Sequence, residues 1–477
     1  MSFSIYFGRN CTADGVAYLA GYGDEPSSHW IELFPRQHYP LGATVRVGVT
    51  PEAELPGKLS EIPQIGTTAR NVRVNYSYYK GTPAPLTNGG LNEFGVAVRD
   101  VWSPSRPELI ELTPPEQTGP NYSDLARLIL ERATTAREGV ALIGELIGQY
   151  GHASYGGNSH MIADSTEAWI VIEFAGGLGL WVAERLGADD IRVSRPGYVG
   201  EIPSDEDTQE RFIYSPNFFS VAIARGWFDP DASRSFDVNA IYGDGKGKWP
   251  GVSYIEEKMR TICQTSSGIR IQDIMSALRD EKITGDSAGY GQIVPLIATE
   301  HDQLRIMWHA HIGAIAAPFV PIFLGIDTIP EEFRSHRYLA DFESSRLMET
   351  TNAIGTEGRS AIPQGIESTR SATYVFKRLQ YLVLQHHELF LAEVTSIWTA
   401  MEQSLIEQCE DFRHLAEVLL RSENDALAAR TLTYFCRTEL VNALEVAEKL
   451  AQSLEIRTRV LFGIDAAAVP RSPQKLW

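Results

Sequence analysis

Ser2 is the residue of this chain with the most chemistry on it. Initiator methionine is normally removed when a small residue follows, which would leave Ser2 at the head of the mature chain. Its hydroxyl and its free α-amine would then sit on one residue, as in enzymes whose terminal Thr uses its own amine as base. An α-amine with a reference pKa of about 7.7–8.0 is partly neutral near pH 7, so no histidine is required. Other side chains offer supporting chemistry. Arg192 and Arg195 carry the forked guanidinium that grips a carboxylate through two parallel hydrogen bonds. Asn158, in Tyr-Gly-Gly-Asn-Ser-His, stands where a loop runs into a strand and offers an amide to a developing negative charge. His309-Ala-His311 puts two imidazoles on one strand face, but no carboxylate or third His follows at ligand spacing. No metal and no cofactor are therefore expected. Cys11 is a rival nucleophile, reached if a leader of ten residues is cut away before Cys-Thr.

These residues need elements to hold them. Residues 2–8 and 16–22 alternate as strands around Asp14-Gly15 and predict a hairpin. Further strand patterns cover Val45–Val49, Val72–Tyr79, Gly95–Val98, His160–Ala163 and Trp169–Phe174. Asp124–Tyr150 carries apolar residues at helical spacing, and Ile271–Arg279 reads as a shorter helix. Residues 196–250 are rich in Pro, Gly, Asp and aromatics, a partly irregular excursion. From about Thr369 strand signals fade, and amphipathic runs to about Arg457 predict a helical hairpin or three helices.

The opening Ser-Phe-Ser-Ile-Tyr-Phe-Gly-Arg-Asn-Cys-Thr-Ala-Asp-Gly resembles the start of the dipeptidase-A/secernin family of N-terminal-nucleophile (Ntn) hydrolases. The resemblance continues in order. Asn88-Gly-Gly-Leu-Asn-Glu-Phe-Gly-Val-Ala97, Ser123–Arg132, Asn158–Trp169, Trp181–Arg185, Met307-Trp308, Pro318–Ile326 and Ser371–Leu379 each resemble a family segment. It implies a mixed α+β fold, an αββα four-layer sandwich over residues 2–367, with a C-terminal helical extension over 368–477. It implies an amidohydrolase acting on a short peptide or acyl-amino compound through an acyl-enzyme. Ser2 falls in the nucleophile's place. Asp24, at the family's spacing of 22 residues, would hold the α-amine. Asn92 would supply the oxyanion-hole amide. Counting 22 residues on from Cys11 reaches Leu33, which favours Ser2. The chain also departs from the family. The nucleophile is usually Cys. Gly21 stands where the family has Arg, and Tyr22 and Gly23 where it has Asn and Glu; the Asn expected near Pro196 is missing. The pocket is therefore altered, with Tyr22 and Arg195 as candidate substrate-binding residues. Two alternatives stay open: a biosynthetic acyltransferase on the same fold, and a non-catalytic secernin-like protein.

Composition sets outer bounds. A net charge of −19 over 477 residues argues against nucleic-acid and anionic-membrane surfaces. The four cysteines are too far apart for a zinc pattern or a disulfide framework. No secretory leader is evident, and the longest apolar run, Ile312–Ile326, is short for a membrane span and holds Pro318 and Pro321. A cytoplasmic enzyme with a small-molecule or short-peptide substrate is expected, and homo-oligomerisation stays open.

Overall fold

The computed structural model describes residues 2–23, 28–77, 79–203, 210–285, 288–335 and 371–463. Its two large sheets are built, in chain order, from β1 (Phe3–Phe7), β2 (Tyr18–Gly23), β3 (His29–Phe34), β4 (Asn71–Tyr76), β5 (Leu86–Asn92), β6 (Ala97–Trp102), β7 (Asn158–Ala163), β8 (Ala168–Glu173), β9 (Trp181–Leu186), β10 (Ile191–Ser194), β11 (Phe212–Tyr214), β12 (Tyr290–Pro295), β13 (Ile306–His311) and β14 (Val320–Phe323). Six strands form one sheet in the order β10-β1-β2-β12-β13-β14. Eight form the other in the order β11-β9-β8-β7-β6-β5-β4-β3. Every ladder in both sheets is antiparallel.

The sheets face each other, and helices cover both outer faces. Helices α1 (Tyr122–Arg132) and α2 (Ala136–Tyr150) bury Leu125, Leu128, Ile129, Val140 and Ile143 against Val98, Ile162, Trp169 and Val171 of the eight-stranded sheet. On the other side lie α3 (Pro250–Thr265), α4 (Ile271–Leu278), α5 (Ala372–Gln385), α6 (His387–Arg421) and α7 (Asp425–Phe462).

The expected first hairpin forms, β1 pairing with β2 from Phe3↔Tyr22 to Phe7↔Tyr18. Asp14 shapes its turn by accepting the Val16 N–H at 3.1 Å, and Gly15 takes the left-handed backbone at φ 71°. The single helix expected over Asp124–Tyr150 is two. Ala133 leaves the helical conformation, Thr135 caps the second helix by accepting the Glu138 N–H, and the Asp164 carboxylate takes the Ala136 N–H at 2.7 Å. Two Thr residues at the junction favour this break, because their hydroxyls compete with helical backbone bonds.

The apolar run Ile312–Ile326 is the seam between the sheets and the C-terminal helices. The Trp398 indole donates to the Ala316 carbonyl at 2.9 Å, and the Phe319 N–H donates to Glu402 at 2.7 Å. Its residues from Ile312 to Phe323 are buried, so the helices of the C-terminal part cover hydrophobic surface of the core. Among the described residues no helix is long and apolar enough to cross a membrane.

Candidate active site

Ser2 is buried at the start of β1, where Phe3 pairs with Tyr22 on one side and Ser4 with Ser194 on the other. Ser194 shows which face is which, since its hydroxyl lies 3.2 Å from that of Ser159 on the opposing sheet. Ser4 shares the row of Ser194 and so the inner face. Alternation carried back from Ser4 puts the Ser2 side chain on that face too.

Arg195 approaches from the neighbouring strand end. Its Nη1 donates to the Tyr22 hydroxyl at 2.9 Å and reaches the Ser2 carbonyl oxygen at 3.5 Å. The Tyr22 hydroxyl in turn donates to the Ile283 carbonyl at 2.6 Å, and its ring stacks on Phe3 at 5.4 Å. Arg195 and Tyr22 thus meet at Ser2. Gly21 allows this close strand contact: a Cβ there would stand 2.1 Å from the Phe3 carbonyl oxygen. Residue 21 therefore has no room for an Arg, and the guanidinium beside Ser2 comes from residue 195, where the family resemblance expects Asn near Pro196.

Among the described residues, the other expected ones are placed differently. Asp24 lies outside the described residues. Asn92 does not reach the Ser2 end of the sandwich. Its Oδ1 accepts the Phe94 and Val96 N–H groups at 3.0 Å, and its Nδ2 donates to the Ala133 carbonyl at 2.8 Å, which closes a turn against the end of α1. The next residue, Glu93, is tied through its carbonyl to Arg305, which also bonds the Ile297 carbonyl. Ile297 lies past the Pro295 end of β12, whereas Ser2 lies at its Tyr290 end. Asn158 is turned to the helix-covered face, opposite to Ser159. Its amide oriented for hydrogen bonding donates to the Tyr155 hydroxyl and the Val101 carbonyl, both at 3.0 Å. Arg192 forks onto Glu184 at 2.8 and 3.1 Å, so its guanidinium is already engaged. Cys11 sits in the turn at the far end of β1, its thiol donating to the Asp189 carbonyl at 3.2 Å. Burial, then the adjacent Cys263, pushes its pKa up to about 12, which suppresses the thiolate a nucleophile needs.

The structure brings other polar groups to the inner face that sequence patterning misses. A register shift opposite Val74/Asn75 inserts one residue into β5. Asn88 is thereby turned inward, where its Oδ1 accepts the Tyr290 hydroxyl at 3.1 Å, and Gly89 lies against Gln292. Arg99, fully buried, bonds the same Tyr290 hydroxyl and lies over its ring at 4.8 Å.

His309 and His311 do share a strand and bond each other at 3.0 Å, and His311 bonds the Thr373 hydroxyl at 3.0 Å. Burial, then nearby His29, pulls the His309 pKa from 6.5 down to about 3. Folded, His309 takes no proton until about pH 3, while unfolded it takes one near 6.5. Its contribution to stability is thus present above that unfolded value and is lost as the pH falls towards 3, at about 1.4 kcal/mol per unit. His309→Asn should flatten the dependence of unfolding free energy on pH in that window by one proton's worth. Equal slopes in the two proteins would contradict it.

Comparison with known proteins finds similarity over part of the chain. Residues 63–251 match peptidase family C69. The chain is 29% identical over 210 residues to the probable dipeptidase B of Streptococcus pyogenes serotype M3, covering 40% of each chain. It is 27% identical over 229 residues to the probable dipeptidase B of Lactococcus lactis subsp. lactis, covering 42% of this chain and 46% of that one. The chain thus spans less than half the length of the curated relatives it matches. Crystal structures of two single-residue variants of conjugated bile acid hydrolase from Clostridium perfringens align at 12% and 10% identity. Each alignment covers 68% of this chain and has a TM-score of 0.31; they cover 92% and 93% of those chains.

Proposed function

We propose that the protein is an N-terminal-nucleophile amidohydrolase that cleaves a short peptide or acyl-amino amide through an ester on Ser2. The placement of Ser2 carries this reading: it is buried at the head of β1, strand alternation turns its side chain toward the opposing sheet, and the Arg195 guanidinium reaches its main-chain carbonyl. The peptidase family match supports the hydrolase class. In the reaction, the Ser2 hydroxyl attacks the amide carbon while the α-amine takes its proton. The amine then passes that proton to the leaving nitrogen as the C–N bond breaks. Water releases the acyl group by the reverse route. Arg195, bonded to the Ser2 main-chain carbonyl and to the Tyr22 hydroxyl, is assigned the holding of the nucleophile's backbone in place. Asp24 is assigned the alignment of the amine.

Intact-mass analysis after mixing with an activated ester of an N-acyl amino acid tests this directly. The protein should begin at Ser2 and gain one acyl mass, mapped to Ser2 by peptide sequencing. A chain that keeps Met1, or a label on any other residue, would rule the mechanism out.

A further inference from the structure

Two polar side chains on the inner face have no hydrogen-bond partner among the described residues. The Gln292 amide leaves both Nε2 and Oε1 unsatisfied, and the Ser4 hydroxyl is unsatisfied as well. Both residues are fully buried. They also lie in one row: Ser4 pairs with Gly21, and Gly21 pairs with Gln292. Cross-strand partners share a face, and that face is the inner one. Gln292 confirms it independently, since a Cβ on Gly89 of the opposing sheet would fall 2.7 Å from its Oε1. Between the two polar groups stands Gly21, with no side chain of its own.

An unpaired buried amide or hydroxyl costs roughly 1–3 kcal/mol each. A Leu or Met at 292 would avoid that cost in a row otherwise enclosed by protein. Ser2 stands one step further along the same face of β1. Two strand spacings across and two residues along put the Ser2 and Gln292 Cα atoms about 12 Å apart. A glutamine-length side chain reaching from each direction closes such a gap.

The geometry points to a specificity subsite in which Gln292 and Ser4 receive an uncharged amide on the acyl part of the substrate. The inference rests on Ser2 as the acylated residue and deepens that reading. The chemistry selects the class of group. Gln292 offers a donor and an acceptor side by side, which an amide matches with its own acceptor and donor. A carboxylate would face the Oε1 lone pairs, and an aliphatic group would leave both atoms unpaired. The preferred acyl residue is therefore one ending in a carboxamide.

Calorimetry on the Ser2→Ala protein separates binding from turnover. Glutaminyl-alanine should bind at least about tenfold more tightly than leucyl-alanine or glutamyl-alanine, the scale of one well-placed buried hydrogen-bonding group. Adding Gln292→Leu should abolish that preference while leaving the melting temperature unchanged or higher, and Gln292→Met serves if the first variant does not fold. Ser4→Ala should weaken the same preference. A preference that survives Gln292→Leu or Gln292→Met overturns the subsite. So does a melting temperature that falls with both substitutions, because the amide would then be satisfied by structural water in the folded protein. If wild type is acylated at Ser2 yet no dipeptide binds the Ser2→Ala protein, the subsite alone fails. If acylation is absent as well, the reading it rests on fails with it.

Discussion

Ser2→Ala is expected to lower kcat/KM by about 10⁴–10⁶-fold while leaving the fold in place, the scale on which removal of a nucleophile acts in other acyl-transfer enzymes. The variant keeps the α-amine, Arg195 and the strand pairing of β1, and it lacks the one atom that attacks. Ser2→Cys should retain activity, because a thiol is more acidic than a hydroxyl and depends less on the amine. The pair of variants separates chemistry from packing: both alter one buried atom, and only one removes the nucleophile. Steady-state hydrolysis of a dipeptide, with circular dichroism as the check on folding, decides the matter. Activity of Ser2→Ala within tenfold of wild type would place the reaction elsewhere.

The beginning of the chain discloses more than its middle does. The first hairpin is legible because Phe3, Ile5 and Phe7 alternate with Ser4 and Tyr6, and Asp14-Gly15 supplies a turn with a left-handed position. That is enough to set Ser2 at a strand head. The Asn88–Ala97 segment is legible as a motif, but its functional geometry is not. A regular strand would turn Asn88 and Asn92 to one face, whereas the extra residue in β5 sends Asn88 inward and leaves Asn92 outside. A bulge depends on the opposing strand, and local sequence does not record it. Gln292 shows the same limit. Nothing in Tyr-Gly-Gln-Ile-Val-Pro marks the Gln as buried, since its burial follows from β12 lying between β2 and β13. Gly21 and Arg195 are the instructive pair. Sequence registers a lost Arg and a lost Asn as two departures, and the structure joins them: the strand contact that excludes a side chain at 21 lies next to the place where Arg195 brings a guanidinium to Ser2.

The C-terminal helices are fastened to the sheets by a buried ion pair, and breaking it should give the largest loss of stability of any single exchange considered for this protein. Arg279, just past α4, forks onto Glu402 in α6 and also donates to the Ala314 and Ala317 carbonyls at 2.8 and 2.9 Å. Glu402 additionally takes the Phe319 N–H at 2.7 Å. The two side chains are only 6% and 3% exposed, so an unmatched charge at either has little access to water. Arg279→Met should therefore cost about 3–5 kcal/mol, mostly from stranding the Glu402 carboxylate and the two carbonyls. Glu402→Leu added to it removes the stranded charge, and the double variant should recover part of that loss. The carbonyls of Ala314 and Ala317 and the Phe319 N–H stay without their partners, which is why recovery is incomplete. Urea unfolding followed by circular dichroism, with tryptophan fluorescence as a second probe to which Trp398, bonded to Ala316 in the same seam, contributes among nine tryptophans, reads the effect. A double variant no more stable than Arg279→Met would show that the backbone contacts of the guanidinium, and not its charge, hold the helices to the sheets.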